Sequence, residues 1–444
     1  MRSSSPDVPR MHSSLPDVPR THSSLPHVPG PLTDPPTRAH TGPPPPAATP
    51  DFNHQASREA SHKLKIFTIA HNAVAASNRH RVEALCELPG VELTLLTPPW
   101  WVEEGRRIAV ARSAPWRVGR TVFSGNGARH VYLSGMLEAL RAAQPDVIDL
   151  YEEPFSLVAL QTLVLRNLLA PSAAIVFYSA VNVHRQWRWP YRWIERMVFI
   201  HADGAHVPNR DVAPILRAKG FPGQKPVAVI PLGVDPDPFE IATPMALRGI
   251  PRPRIGFVGR LEPVKGLDVL LDAFARLNTP ASLVIAGDGS ERARLRTRSG
   301  PLEARVRIIP PIPYEDMPAF LKSLDILVLP SVTILPQHRE QFGRVLVEAM
   351  AAGVAVIGSS SGAIPEVIGD AGLVVPERDP AALASAIDRL LANPDERQAL
   401  VERGRQRVRA RFAWPVVAQQ TNALFHAAVA HRRHVTARVQ AVSA

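Results

Sequence analysis

Two carboxylates, Glu340 and Glu348, stand eight positions apart in the stretch EQFGRVLVEAMAAG, residues 340–353. A continuous helix turns about 100° per residue, so eight steps would leave the acids about 80° apart, off a common face. The spacing works if Glu340 lies in a loop and a helix begins near Gly343. The glycine then lets the backbone approach a ligand closely, and the free amides of the helix N-terminus favour a phosphate. Glu348, about one turn inside, can accept hydrogen bonds from a vicinal diol such as a ribose, while Glu340 reaches the other end of the ligand. A sugar, a diphosphate and a ribose in line is the layout of a nucleotide-sugar.

A second stretch supplies the opposite charge. VGRLEPVKGLDVLLDAF, residues 258–274, places Arg260 and Lys265 in the loop after an apolar strand-like run. Ligands of open α/β sheets sit at the carboxyl ends of strands, where two cations would neutralise a departing diphosphate. Taken singly, each of these residues reads equally as surface charge; the joint pattern carries the inference.

The first half of the chain offers less ordered candidates. Glu152 and Glu153 follow a strand-like run in DLYEEPF, and one of them could meet the sugar or an acceptor hydroxyl. A bland acidic loop before a helix capped near Ser156 fits as well. AHNAVAASNRHR lacks a glycine-rich turn and offers His71, Asn72, Asn78 and Arg79 for acceptor contact; His71 reads equally as a hydrogen-bonded structural residue. SAVNVHRQWRWPYRW, residues 179–193, is basic and aromatic. Its tryptophans suit stacking on a sugar, a lipid interface, or, the reading favoured by the sequence, anchoring of a loop. Asp235-Pro236-Asp237 imitates a DxD metal motif but sits in a proline-bound linker, so no metal site is expected there.

The elements that must position these residues are alternating. Strand-like runs KLKIFTIA, VELTLLT, DVIDLY, AAIVFYS and VAVIPLG are separated by helical patterns such as SLVALQTLVLRNLL and YRWIERMVFIHA. After a proline-rich break the alternation resumes with RIGFVG, SLVIAG, RVRIIP, DILVLP, VAVIGS and GLVVP. Such alternation predicts an α/β fold with parallel sheets covered on both faces. The expected boundaries are a Pro/Ser-rich tail over 1–61 with a ten-residue repeat, a first domain over 62–235, a linker over 236–252, a second domain over 253–410, and a helical segment over 411–444. The tail holds 14 of the 46 prolines; it has too few bulky apolar residues for a core and is expected to be disordered. It has no continuous apolar stretch of the signal-peptide kind. A reading frame opened too far upstream would leave the same features.

At 444 residues, with 45% hydrophobic and 20% charged, the chain reads as a two-domain globular protein. A single cysteine, Cys86, excludes an intramolecular disulfide and a cysteine-based zinc cluster. No run is apolar and long enough to span a membrane. The net charge of +11 draws on an arginine-rich end, with eight Arg against Glu402 from Val401 onward. That surface suits an anionic lipid or substrate as well as it suits plain solvation. Nucleic-acid binding would rest on charge alone and is not expected. A dinucleotide oxidoreductase is disfavoured, because no GxGxxG follows a first strand.

The segments GRLxxxKG, AGDGS, EQFGRVLVEAMAAG and SGAIPEVI resemble the nucleotide-sugar domain of the family 4 glycosyltransferases, strongly over Arg254–Val375 and more loosely over Lys63–Asp235. The resemblance implies a GT-B fold, two Rossmann-like domains facing a cleft, with the last helices crossing back to the first domain. It implies retaining, metal-independent transfer from a UDP- or GDP-linked sugar to a glycan, lipid-linked or small-molecule acceptor, without a cofactor. By it, Arg260 and Lys265 hold the diphosphate and Glu340 lies by the transferred sugar. The Phe342 and Gly343 amides lie near its hydroxyls, and Glu348 binds the ribose. Gly259, Gly287 and Arg344 complete the donor-binding set, and Glu152 and Glu153 are catalytic candidates. Many relatives carry a His where this chain has Glu152-Glu153, which leaves a degenerate, non-catalytic sugar- or lipid-binding relative as the alternative. A cytoplasmic protein of cell-envelope or polysaccharide synthesis, with peripheral contact to the inner face of an anionic membrane, is the expected setting.

Overall fold

A computed structural model describes residues 63–103, 106–110, 116–336 and 338–443. The repetitive amino-terminal tail, and what the sequence predicts for it, lie outside the described residues.

Among the described residues, seven parallel strands form a first sheet: β1 (Leu64–Ile69), β2 (Val91–Thr97), β3 (Arg117–Val118), β4 (Val147–Leu150), β5 (Ala174–Tyr178), β6 (Gly204–Val207) and β7 (Val227–Val229). Their order is β7-β6-β5-β4-β1-β2-β3. A second sheet holds β8 (Arg254–Val258), β9 (Ser282–Ala286), β10 (Val306–Ile309), β11 (Ile326–Leu329), β12 (Ala355–Ser359) and β13 (Leu373–Val375), in the order β10-β9-β8-β11-β12-β13. In both sheets the strand order reverses beside the first strand, which opens a crevice at the carboxyl ends there. The central strands are mostly apolar, as strands covered on both faces tend to be: β4, β6, β9, β11 and β12 are buried at every residue, the polar exceptions Asp149, His206, Ser282 and Ser359 included. These are two Rossmann-like sheets, the fold the alternation predicts.

Five helices matter for the site: α1 (Ala76–Cys86), α2 (Leu157–Leu169), α3 (Tyr191–His201), α4 (Arg344–Ala351) and α5 (Trp414–Ser443). Ser156 caps α2 by accepting the Ala159 amide, the cap the sequence suggests. The long α5 packs on the first sheet: Val417, Leu424, Phe425 and Val429 share a buried cluster with Ile66 and Val176. The chain reaches it through a parallel bridge between Val234 and Ala413.

Several features were not legible in the sequence. Strand β6 is only four residues of mixed composition, GAHV, and gives no clear run. The hairpin Trp100–Glu103 with Arg106–Ala109 is also unanticipated. The span expected as a linker folds Asp237–Ile241 into a short helix whose Phe239 is buried in the second lobe's core. Proline-dense sequence signalled irregularity there, yet one aromatic was enough to dock it.

Candidate functional site

Glu340 does lie in the loop before α4, and the helix starts at Arg344 with Gly343 as its cap. Gly343 has φ of 82°, in the left-handed region that favours glycine. A Cβ there would also press on Leu329 at 3.0 Å and on Leu346 at 3.2 Å. The same economy holds at the first crossover, where a Cβ on Gly287 would fall 2.0 Å from the Gly259 carbonyl oxygen. Gly287 thus lets the loops after β8 and β9 touch.

Lys265 follows β8 at the end of a short 3-10 turn, Pro263–Lys265. Its Nζ donates to Glu340 Oε2 at 2.7 Å, and the Ser331 hydroxyl donates to the same oxygen at 2.6 Å. Burial alone would raise the Glu340 carboxyl; the Lys265 ammonium and the two hydrogen bonds outweigh it and hold the group below the usual carboxylate range. Arg260 is half-exposed, and its guanidinium meets Glu262 at 3.1 Å. Glu348 is buried in α4, with the Arg344 guanidinium 3.6 Å away, and burial pushes its carboxyl up. Phe342 turns its ring inward against Phe412, so its amide is the part left for a ligand.

The first lobe seats itself on this loop. Asn182 donates to the Glu340 carbonyl at 2.9 Å, Asn209 to the Gln341 carbonyl at 2.5 Å, and Gln341 donates back to the Ala180 carbonyl at 3.0 Å. Arg344 reaches across to the Asn78 carbonyl oxygen of the side chain at 3.2 Å. Asn78 is therefore tied to Arg344 on α4, whereas Arg79 spends its guanidinium on the Ala73 and Val74 carbonyls of its own loop.

Glu152 and Glu153 part company. Glu153 turns away to the Ser179 hydroxyl and the Ala180 amide, both at 2.8 Å, and burial pushes its carboxyl up to about 7. Glu152 is buried at the end of β4 and meets two imidazoles. His71 Nδ1 lies 2.5 Å from Oε2, and the His71 amide donates to Oε1 at 2.8 Å. His130 Nε2 lies 3.6 Å from Oε1. Burial would raise the Glu152 carboxyl, but the two imidazoles hold it down at about 2. Burial would likewise lower His130, and the Glu152 carboxylate outweighs that and raises it. Asn72 and His71 line a cavity of about 110 Å³ with Val74 and Trp101. Beneath this loop, Arg81 grips Asp149 through two hydrogen bonds of 2.8 and 3.2 Å and lies over the Tyr151 ring, which ties α1 to β4.

His130, Ser331, Asn182 and Asn209 had no sequence signal. Each acts through a partner 9 to 158 positions away, as the Ser331–Glu340 and Asn182–Glu340 bonds show. The tryptophans correct the favoured loop-anchor reading in part. Trp187 does anchor, 3.9 Å from Phe155, but Trp189 is 83% and Trp193 47% exposed.

Residues 249–407 match the family model described as glycosyl transferases group 1. The match falls on the second lobe, which is similar to the group 1 glycosyltransferases. The chain is 38% identical over 199 residues to a phosphatidyl-myo-inositol mannosyltransferase of Mycobacterium leprae, which covers 43% of this chain and 51% of that protein. It is 33% identical over 258 residues to a D-inositol 3-phosphate glycosyltransferase of Corynebacterium urealyticum, covering 53% and 59%. The chain thus spans about half the length of the curated relatives it matches. The whole two-lobed fold is shared with a sucrose-phosphate synthase of Thermosynechococcus elongatus, at TM-score 0.62, 23% identity and 82% and 98% coverage. Anabaena HepE, solved in complex with UDP, aligns at TM-score 0.60 and 16% identity over 81% and 98%. These solved structures show the GT-B fold.

Proposed function

We propose that the protein is a retaining, metal-independent glycosyltransferase that uses a UDP- or GDP-linked sugar. The observation that carries this reading is the Lys265–Glu340–Ser331 cluster set just ahead of the α4 N-terminus. Lys265 and Arg260 counter the diphosphate, so the charge that a metal ion would supply to the leaving group comes from side chains. Free amides at Phe342, Gly343 and Arg344 add the partial positive charge of the helix end. Glu348 takes the ribose hydroxyls, with Arg344 beside it. The acceptor hydroxyl attacks the anomeric carbon from the leaving-group face as the bond to the phosphate oxygen breaks. Its proton passes to the departing diphosphate, and Glu340 steadies the oxocarbenium character that develops.

The relatives named for inositol phosphate and phosphatidyl-myo-inositol make inositol-bearing acceptors, soluble and lipid-linked, the first to try. Exposed Trp189 and Trp193, with exposed Arg188, Arg192 and Arg196 on and beside α3, suit an anionic membrane that carries such a lipid. Among the described residues no helix is long and apolar enough to cross one. The test is acceptor-dependent release of UDP or GDP from a panel of sugar conjugates, with product configuration read by NMR. Retained configuration and loss of release in Glu340→Ala are expected. An inverted product, or undiminished release by the variant, would contradict the reading.

A further inference from the structure

The cluster of His71, His130 and Glu152 lies in the first lobe, and none of the three takes a role in the glycosyl transfer proposed above. One ligand atom from each residue falls within 4.8 Å of the others. The three come from separate places in the chain: the loop after β1, the segment before Val131–Tyr132, and the end of β4. Their rings pack with Trp101, whose centroid lies 4.3 Å from His71 and 4.9 Å from His130.

His130 is the informative member. It is 0% exposed, and its Nε2 is a buried nitrogen without a hydrogen-bond partner. Its Nδ1 lies 3.3 Å from the Asn126 carbonyl oxygen. A carbonyl can only accept, so Nδ1 carries the hydrogen, and Nε2 faces the Glu152 carboxylate across a buried gap that no hydrogen bond closes. A buried carboxylate and an unpartnered ring nitrogen facing each other are both satisfied by a cation set between them. At 3.6 Å the pair is too long for an N–H···O hydrogen bond. Two ligands at about 2.0–2.1 Å from one tetrahedral ion are separated by about 3.3 Å, close to the observed span. The Asn126 carbonyl then acts as the outer partner that fixes ring and tautomer, as metal-bound histidines require. His71 Nδ1, 2.5 Å from Glu152, would retreat by roughly 1 Å to share the ion; it is the one member at the surface, with its side chain 26% exposed.

The geometry points to a divalent transition-metal site formed by His71, His130 and Glu152. Two imidazoles and one carboxylate suit Zn²⁺ and its first-row neighbours, whereas Mg²⁺ and Ca²⁺ prefer all-oxygen ligands. Three protein ligands leave a position open, and His71 and Trp101 also line the neighbouring cavity. The inference does not depend on glycosyl transfer, because the site is read by metal uptake alone.

The test uses the full chain, stripped with a chelator and titrated with Zn²⁺ in competition with a chromophoric chelator. The chain has 16 histidines, so the decisive quantity is the difference between wild type and variants. Wild type should take up one tight equivalent more than His130→Ala and Glu152→Gln, with His431→Ala as a control that keeps it. The affinity loss should be at least tenfold, with Glu152→Asp falling between. Circular dichroism identifies any variant that fails to fold. Co²⁺ loading of the wild type gives a second reading: intense visible bands of a four- or five-coordinate ion support the site. Equal uptake by wild type and folded variants, or a wild-type Co²⁺ spectrum of the weak octahedral kind, would overturn it.

Discussion

The Lys265 ammonium and the Glu340 carboxylate lie 2.7 Å apart, joining the loop after β8 to the loop before α4, 75 positions along the chain. Before a donor arrives, each neutralises the other. The pair therefore keeps the cation proposed for the diphosphate and the acid proposed for the sugar in one place. Lys265→Ala should cost about 2 kcal/mol of stability, as for a charged hydrogen bond whose partner stays buried. Lys265→Ala with Glu340→Ala should cost less than the sum of the single changes. Chemical denaturation of the four proteins checks this; additive losses would dissolve the pair as an energetic unit. The sign with pH is fixed by the depressed Glu340 value. Its contribution is present above the ordinary carboxylate range and lost as pH falls through the folded value.

Glu348 presents the opposite case. Its carboxyl is pushed up by burial, so the folded state disfavours its charge, and its contribution to stability falls as pH rises through the raised value. Glu348→Gln should therefore raise the melting temperature of the unliganded protein at neutral pH, by about 1–3 °C. It should also weaken nucleotide binding by about tenfold through loss of charged hydrogen bonds to the ribose. Thermal melts and calorimetry read the two effects separately. A variant that loses stability and keeps its affinity would place Glu348 outside the donor site.

His206 makes acid sensitivity a property of the first lobe. It is fully enclosed between the Tyr151 and Tyr178 rings, with Nε2 2.9 Å from the Ile230 carbonyl oxygen. Burial, with repulsion from Arg81, pushes its imidazole down to about 3. An unfolded histidine takes up its proton near pH 6.5, so stability is full above that pH and falls toward pH 3, by about 1.4 kcal/mol per pH unit. His206→Gln should flatten that slope between pH 6 and 4 in denaturant titrations. An unchanged slope would locate acid sensitivity elsewhere.

The exposed face of α3 is tested with vesicles. Trp189→Ser with Trp193→Ser should reduce co-sedimentation with phosphatidylserine vesicles by about tenfold, since these two rings contribute most of the apolar contact. Melting temperature should hardly move. Equal binding by both proteins would remove the membrane from the account.

The sequence carried the fold and the donor side further than the acceptor side, for a physical reason. Strands buried on both faces write themselves as apolar runs, as SLVIAG and DILVLP do. A helix end that must open at glycine leaves a local mark, as at Gly343. Glu340 and Lys265 were visible because each sits in such a marked loop. Ser331 and His130 have no local signature; they matter through partners that only the folded chain brings near. Glu152 and Glu153 were indistinguishable side by side, because adjacent residues after a strand point to opposite faces and the sequence does not say which face is the cleft. Trp189 and Trp193 read as anchors because large aromatics usually are buried; only Trp187 found a pocket, against Phe155.

The most direct test of the donor site is calorimetric titration of residues 62–444 with UDP, GDP and their sugar conjugates, with wild type beside Lys265→Ala. The account predicts saturable binding of one nucleotide family by the wild type without added metal, weakened at least tenfold in Lys265→Ala with the fold intact. Equal affinity in the two proteins, or no binding of any nucleotide by the wild type, would contradict it.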